Sequence, residues 1–557
     1  MAQPPPSSGP PPARPAAPGA EGDSGRGERE SIYRFAGIVT FFTLLSRILG
    51  MARDLAIANR FGAGGASDAW VQAFRIPNAL RRLTAEGSMT IAFIPLYVEL
   101  REREGRAAAL QFARQVLGLV LAVTGLLCAA GIVFSDAVTL IFSPGFVDDP
   151  QKFALTSRFI RWTFPHLLLV SLVAWAMGIL NSEKRFAAPA AAPILFNLGI
   201  VAAIFLAAER LATPALAIAY GAVLGGVLQV LLQLPSLGAV GARLTPSFRW
   251  REGAMPRFFA LMGPALFGVA VYQINIIVLG ILASYLPTGQ VFHYNNATRL
   301  SEFVMGLFTF AFTTAGLPAL SGHYARGDWE AMGQTLRFTF AAVLFTTLPA
   351  MTGLIVAAEA IVSMLYRHGA FTAADVATTA DTLKFMALGM PGVAIVRVLV
   401  PVYYALGDSR TPVLASAAAV AVTGTLGWWF SGPMQVAGLA LALALGTWFQ
   451  ALGLAAALRG RTEELGPWFP WDDLRKQVIA CAGMALAVGF AGRFGDWDRG
   501  PSAARNWLLF IPLLAGGAGL YGALTLAQGE RQARHWLDLL ARLNRRLGRL
   551  GRRPRRG

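Results

Sequence analysis

Apolar segments long enough to cross a bilayer follow one another from residue 32 to residue 527, with only short polar connections between them. Their approximate limits are 32–60, 67–99, 108–141, 153–181, 187–208, 213–239, 256–285, 290–321, 331–364, 376–406, 411–430, 434–458, 473–492 and 505–527. A helical span needs about 20 apolar residues. Hydrocarbon offers no water to backbone N–H and C=O groups, so each segment has to satisfy them internally, as a helix. The expected fold class is therefore an all-α polytopic membrane protein with about fourteen transmembrane helices. Composition agrees: 55% of residues are hydrophobic and 14% charged, against about 25% charged in a soluble domain. Several segments exceed the minimum length, which implies tilt or bending. Pro95, Pro165, Pro318 and Pro391 each remove a backbone donor and favour kinks.

A formal charge of +17 would suggest nucleic acid on a soluble chain. Here the excess lies in a tail, Arg531 to Arg556, and in short loops. Anionic membrane lipid and cytoplasmic retention account for it, and no nucleic-acid partner is expected. Residues 1–31 are rich in Pro, Gly, Ser and Ala and lack an apolar run. They read as a disordered cytoplasmic tail without a signal peptide. With the N-terminus inside, Arg101, Arg103, Arg106, Lys184, Arg185, Arg243, Arg249, Arg251, Arg326 and Arg410 fall on internal loops. Fewer basic residues, among them Arg60, Lys152, Arg210 and Arg367, fall on external ones. The bias puts both termini in the cytoplasm. Cys128 and Cys481 lie in apolar runs with no zinc or disulfide spacing, and read as buried, inert thiols.

The chain also repeats itself. "IPLYVELREREGR" at Ile94 matches "LPALSGHYARGDWE" at Leu317, and "GILNSEKRFAAP" at Gly178 matches "YYALGDSRTP" at Tyr403. The segments ending at Pro165 and Pro391 match in the same way. Chance pairing of prolines and glycines between apolar runs is the competing explanation, but three matches keep nearly one offset. The pattern suggests two six-helix lobes of like orientation, with the last two helices as an appendix. The expected organisation is a tail 1–31, lobes 32–240 and 241–460, a final helix pair within 461–530, and a basic tail 531–557.

Charges inside spans are the informative residues, because an Arg at a helix centre costs about 2.5–3.5 kcal/mol on insertion scales. Such groups face a bundle interior or a wet cavity. The first span carries Arg47, Arg53 and Asp54; the second carries Asp68, Arg75, Arg81, Arg82 and Glu86; the eighth carries Arg299 and Glu302. Guanidinium forks suit phosphate oxygens. Arg47, Arg53, Arg81 and Arg299 are therefore the candidate headgroup ligands, converging on one cavity. Asp54, Asp68, Glu86, Glu302, Gln273 and Asn295 are the supporting polar groups. The structural alternative pairs Arg53 with Asp54 or Asp68 and Arg81 with Glu86. Arg75 and Arg82 are expected to snorkel to an interface. The five histidines form no metal cluster, there is no P-loop, and no Ser/His/Asp set is evident. No catalytic residue, metal or cofactor is expected. The sequon at Asn296 falls inside a span and is discounted.

The stretch from Ser46 to Tyr97, "SRILGMARDLAIANRFGAGGASDAWVQAFRIPNALRRLTAEGSMTIAFIPLY", resembles the MurJ/MviN family of lipid II flippases. So do "GPALFGVAVYQIN", "ATRLSEF" and "ALGDSRTP". The resemblance runs from residue 32 to 527 and implies two six-helix lobes plus two final helices that accommodate a polyprenyl tail. It implies that the substrate is lipid II, an undecaprenyl diphosphate bearing the peptidoglycan precursor. Lipid II would move from the inner to the outer leaflet of the bacterial cytoplasmic membrane by alternating access. By the same resemblance Arg47, Arg53, Arg81 and Arg299 are the essential arginines, with Asp54, Asp68 and Glu86 at acidic positions. Thr298 departs from relatives that place Asp before the eighth-span arginine. Where some relatives have a sodium site, the spans here offer Gln273, Asn275 and Thr423 without a carboxylate, so sodium coupling is not expected.

Three rival readings differ in what they require. A multidrug exporter of the same fold would use a carboxylate-rich pocket. A flippase for another polyprenyl-linked glycan would share the arginines. A membrane scaffold recruiting cell-wall synthesis enzymes through its basic tail would tolerate their loss.

Overall fold

The computed structural model describes residues 21–82, 89–459, 466–538 and 541, and every regular element among them is helical. In chain order these are α1 (Glu21–Phe61), α2 (Gly65–Arg81), α3 (Ile94–Arg103), α4 (Arg106–Val133), α5 (Ser135–Phe142), α6 (Pro150–Ser182), α7 (Ala187–Ala207) and α8 (Ala217–Ala239). There follow α9 (Met255–Ser284), α10 (Gln290–Ala325), α11 (Trp329–Val356), α12 (Ala358–Tyr366), α13 (Ala373–Ala387), α14 (Met390–Ala405), α15 (Arg410–Arg459), α16 (Trp471–Gly492) and α17 (Ala504–Ala527). Nine of the described helical segments are long and apolar enough to cross a membrane.

Helix α1 begins inside the segment that composition assigns to a disordered tail. Extending a helix that is already nucleated needs no new nucleus, which offsets the low propensity of Gly22, Gly25 and Gly27 in its first turns. Among the described residues, three of the apolar segments are built from two helices rather than one, and a fourth, 67–99, carries a π-helical turn. A π-helical turn, Met89–Phe93, precedes α3, with Pro95 near the start of α3. Phe134 separates α4 from α5, and Ala357 separates α11 from α12. Leu388 and Gly389 interrupt the chain just ahead of Pro391 in α14. Gln435 (φ 50°, ψ −130°) breaks α15 into the two spans read at 411–430 and 434–458.

The boundaries carry the repeat. Helices α4 and α11 are both 28 residues long and start 223 residues apart, at Arg106 and Trp329. The same interval separates the breaks at Phe134 and Ala357. It separates the N-caps Asp149 and Thr372, each accepting a backbone N–H three residues on. It also separates Lys184 and Gly407, which turn the chain with φ of 58° and 74°.

Helices α1, α2, α4, α6, α7 and α8 pack among themselves, and α9, α10, α11, α13, α14 and α15 form a second group. The pair α16 and α17 leans on α11. In lipid the driving force is close packing rather than water exclusion, so small residues let backbones approach. Gly199 of α7 meets Gly221 and Gly225 of α8; a Cβ at 199 would lie 2.8 Å from the Gly221 carbonyl oxygen.

The ends of α3 and α6 and the start of α9 share one face. Arg101 pairs with Glu183 at 3.1 Å, and Arg257 pairs with Glu99 at 2.9 Å there. This face carries most of the loop arginines. On the opposite face the two groups are stitched together. The amide of Ala370 donates to the Asn59 carbonyl at 2.9 Å. Lys152 Nζ donates to Thr288 at 3.1 Å, and the Gly145 amide donates to the Ser284 hydroxyl at 3.1 Å.

Candidate functional site

Helical periodicity lines up the polar groups of the early spans. On α1, residues 47, 50, 51 and 54 fall on one stripe, and on α2 so do residues 74, 78, 81 and 82. These stripes, with parts of α6 to α10, α14 and α15, enclose a cavity of about 1090 Å³ between the two helix groups. Its lining runs along α2 from Phe74 to Arg82 and along α6 from His166 to Met177, in both cases away from the stitched face and toward the basic one.

Six arginines line it: Arg47, Arg53, Arg81, Arg82, Arg299 and Arg397. Among the described residues two carboxylates, Asp54 and Glu302, line it as well, which gives those residues a formal excess of four positive charges (six less two). Arg53 is buried and anchored on every side. Its Nε and Nη2 donate to Asp54 Oδ1 at 3.0 and 2.7 Å, and its Nη1 donates to Asn197 Oδ1 at 3.2 Å. Its guanidinium carbon stands 5.9 Å from the Phe196 ring centroid. Asn197 is itself fixed, donating to the carbonyls of Ser46 and Pro193 at 3.2 Å each. Across the cavity Arg299 Nε lies 3.5 Å from Asp54 Oδ2, and its Nη1 lies 3.8 Å from Glu302. Arg81 donates through Nε and Nη2 to Asn78 Oδ1 at 3.2 and 3.0 Å. Arg47 reaches α10 at Gly306, where a Cβ would overlap its guanidinium.

The four arginines expected to meet do line one cavity, with Asp54 and Glu302 beside them. Other expected residues lie elsewhere. Asp68 is fully buried outside the lining; its carboxylate accepts the amides of Gly289 at 2.7 Å and Phe292 at 2.9 Å, capping α10 from the other helix group. An acidic group suits a helix N-terminus, where unpaired N–H groups and the helix dipole both favour it. Gln273 is buried and Asn295 half-buried, neither on the cavity wall. Glu86 lies outside the described residues. Arg82, expected to snorkel, lines the cavity, whereas Arg75 turns away from it toward α9.

Thr298 donates to the Tyr294 carbonyl at 2.8 Å, so the carboxylate beside Arg299 comes from α1 and not from the preceding residue. His293 bonds Thr379 at 2.9 Å and is buried outside the lining, a packing role. Among the wall residues that escaped the sequence reading are Arg397 on α14, His166 on α6, Gln229 on α8, and Asn78 and Asn197, which hold Arg81 and Arg53. Arg397 carried the same signal as the others, an arginine inside the apolar run "VAIVRVLVP". His166 and Gln229 are uncharged polar groups among apolar neighbours and gave no comparable signal.

A family model described as lipid II flippase MurJ matches residues 57–501. A Burkholderia cenocepacia protein named lipid II flippase MurJ is 34% identical over 462 residues, 82% of this chain and 89% of that protein. A Haemophilus influenzae protein named probable lipid II flippase MurJ is 31% identical, covering 88% of this chain and 98% of that one. Among solved structures, a lipid II flippase MurJ in an inward closed conformation superposes with a TM-score of 0.74 at 25% identity, covering 90% of this chain and 99% of its own. An inward-facing multidrug resistance transporter of the MATE family gives a TM-score of 0.63 at 12% identity, over 77% of this chain and 99% of that one, and shares the fold.

Proposed function

The chain belongs to the lipid II flippase MurJ family, and from that premise we propose that its arginine-lined cavity carries the diphosphate–sugar headgroup of lipid II from the inner to the outer leaflet. It is a transporter of the multi-pass inner-membrane class, not an enzyme. The observation that carries the reading is the convergence of six arginines, from both helix groups, on a cavity large enough for a glycan headgroup. An isolated charge costs tens of kcal/mol to transfer into hydrocarbon by Born estimates. Guanidinium forks replace water around the diphosphate, while the polyprenyl chain never leaves lipid.

The chain is organised as fourteen spans: a lobe over residues 32–240, a second over 241–460, and the pair α16 and α17 as a groove for the lipid tail. The 223-residue interval between helix boundaries supports the two-lobe arrangement. The loop arginines support both termini in the cytoplasm, with the cavity opening to that side. Alternating access then consists of releasing the stitched face and closing the basic one.

The test is depletion with complementation, reading lipid II exposure on the outer leaflet. Arg53→Ala, Arg81→Ala and Arg299→Ala each abolish exposure while the protein still inserts, and Arg→Lys rescues poorly, because a point charge does not reproduce the planar fork. Arg397→Ala lowers exposure as well. Full complementation by the alanine variants at normal expression rejects the phosphate-clamp role.

A further inference from the structure

The repeat pairs two arginines that end up in different surroundings. With Gly65 set over Gly289, Gln72-Ala73-Phe74-Arg75-Ile76 falls on Asn296-Ala297-Thr298-Arg299-Leu300. Arg75 on α2 is therefore the repeat mate of Arg299 on α10. The partner helices correspond too: α1 ends at Phe61 and α9 at Ser284, and that interval of 223 residues, one less than between Gly65 and Gly289, puts Ile277 where Asp54 stands. Arg299 meets the Asp54 carboxylate. Arg75 meets α9, where the matching residue is apolar.

The details are specific. A Cβ at Gly280 would overlap the Arg75 guanidinium. Gln72 Nε2 donates to the Gly280 carbonyl at 2.8 Å, and Arg75 Nη1 donates to Gln72 Oε1 at 2.5 Å. Arg75, Gln72, Ile277, Gly280 and Phe142 of α5 share a small cavity of about 60 Å³ that has no residue in common with the central one. Among the described residues no carboxylate lies within ion-pair distance of Arg75. Phe142 and Ile277 of its lining are part-exposed, and Ile141 and Ile274, one residue and one turn from them, are exposed apolar residues, so the crevice borders the lipid-facing wall. Gly280 lies one turn before the end of α9, which places the guanidinium in the leaflet of the stitched face. A guanidinium there, with its side-chain bond to Gln72 and no carboxylate beside it among the described residues, is matched by a counter-charge from outside the chain.

We propose that Arg75 and Gln72, in the crevice between α2, α5 and α9, bind the phosphate of a membrane lipid in the leaflet at the stitched face. The volume admits phosphoryl oxygens and excludes a sugar headgroup, unlike the cavity of about 1090 Å³. The ligand chemistry is a phosphate ester on an apolar chain, from either a phospholipid or a prenyl diphosphate. The proposal rests on the membrane-spanning fold and not on flipping.

The test uses the full chain, delipidated in detergent, and native mass spectrometry with three probes: dioleoyl phosphatidylglycerol, farnesyl diphosphate and phosphate-free dioleoylglycerol. Wild type retains one phosphate-bearing probe at its tightest site and no dioleoylglycerol. Arg75→Gln weakens that retention at least tenfold. Ile277→Asp does the same by a different route, restoring the carboxylate that Arg299 has and occupying the guanidinium from within. It also keeps the Gln72–Gly280 bond, so it decides the matter where Arg75→Gln fails to fold. Arg75→Gln lowers phosphatidylglycerol retention by the same factor with and without Arg299→Gln, which separates the crevice from the central cavity. Tighter binding of farnesyl diphosphate assigns the crevice to prenyl lipid; tighter binding of phosphatidylglycerol assigns it to phospholipid. Wild-type retention in both Arg75→Gln and Ile277→Asp overturns the site and leaves Arg75 as a tie between α2 and α9. A loss confined to Arg299→Gln places the bound lipid in the central cavity and overturns it equally.

Discussion

The Nε of Arg299 lies 3.5 Å from Oδ2 of Asp54, while Oδ1 of that carboxylate accepts from Arg53 at 2.7 Å. One carboxylate thus sits between guanidinium groups of the two helix groups. It lowers the repulsion of an otherwise strongly cationic wall.

Replacing that carboxylate tests its role. Asp54→Asn leaves Arg53 and Arg299 facing each other without their shared counter-charge. A hydrogen bond to a charged group contributes about 1.5–3 kcal/mol, and the partial exposure of Arg299 reduces the share from its side. A lowered thermal midpoint is expected in detergent. Added inorganic pyrophosphate stabilises Asp54→Asn more than wild type, because no internal carboxylate competes for the arginines. Equal stabilisation of both proteins would show that the diphosphate binds elsewhere.

Asp68 yields a second expectation. Its carboxylate caps α10 across the stitched face. Removing a helix N-cap costs about 0.5–2 kcal/mol, and a bias of about 1 kcal/mol changes a two-state population about fivefold. Asp68→Ala therefore shifts the protein toward opening at that face. Val291, buried near the start of α10, reports it as a cysteine. In Val291→Cys, labelling by a membrane-impermeant maleimide rises about fivefold when Asp68→Ala is added. An unchanged labelling rate counts against the cap as part of the gate.

Legibility followed the strength of the physical constraint. Long apolar runs leave the backbone no option but helix, so the helices of the fold were legible. The cost of charge in lipid marked Arg47, Arg53, Arg81 and Arg299, and marked Arg397 equally, although that residue was passed over in a long apolar run. Side-chain direction was not legible. Six residues put Arg75 and Arg81 about 120° apart around α2, but nothing in the sequence said which of the two faces α9 and which the cavity. Asp68 carried the signal of a buried charge, but nothing in its own segment showed that its partners would be two backbone amides more than two hundred residues away. The breaks at Phe134 and Ala357 lack proline or glycine and were likewise invisible until both copies of the repeat showed them.

The charge of the cavity predicts how transport responds to voltage. Among the described residues, six arginines and two carboxylates on the cavity wall give a formal excess of four positive charges. A bound diphosphate neutralises part of it, so loaded and empty carriers feel the membrane field differently. Moving one charge through the field is worth about 2.3 kcal/mol per 100 mV. An interior-negative potential then favours outward passage of the anionic headgroup and inward return of the cationic cavity. Labelled lipid II in vesicles, with an imposed potassium diffusion potential, measures this directly. Transport speeds up when the side equivalent to the cytoplasm is made negative. It persists when choline replaces sodium, because Asp54 and Glu302 already face arginines and Asn275 and Thr423 bring no charge to the wall. A rate that ignores the potential and requires sodium would overturn both expectations and assign the driving force to an ion.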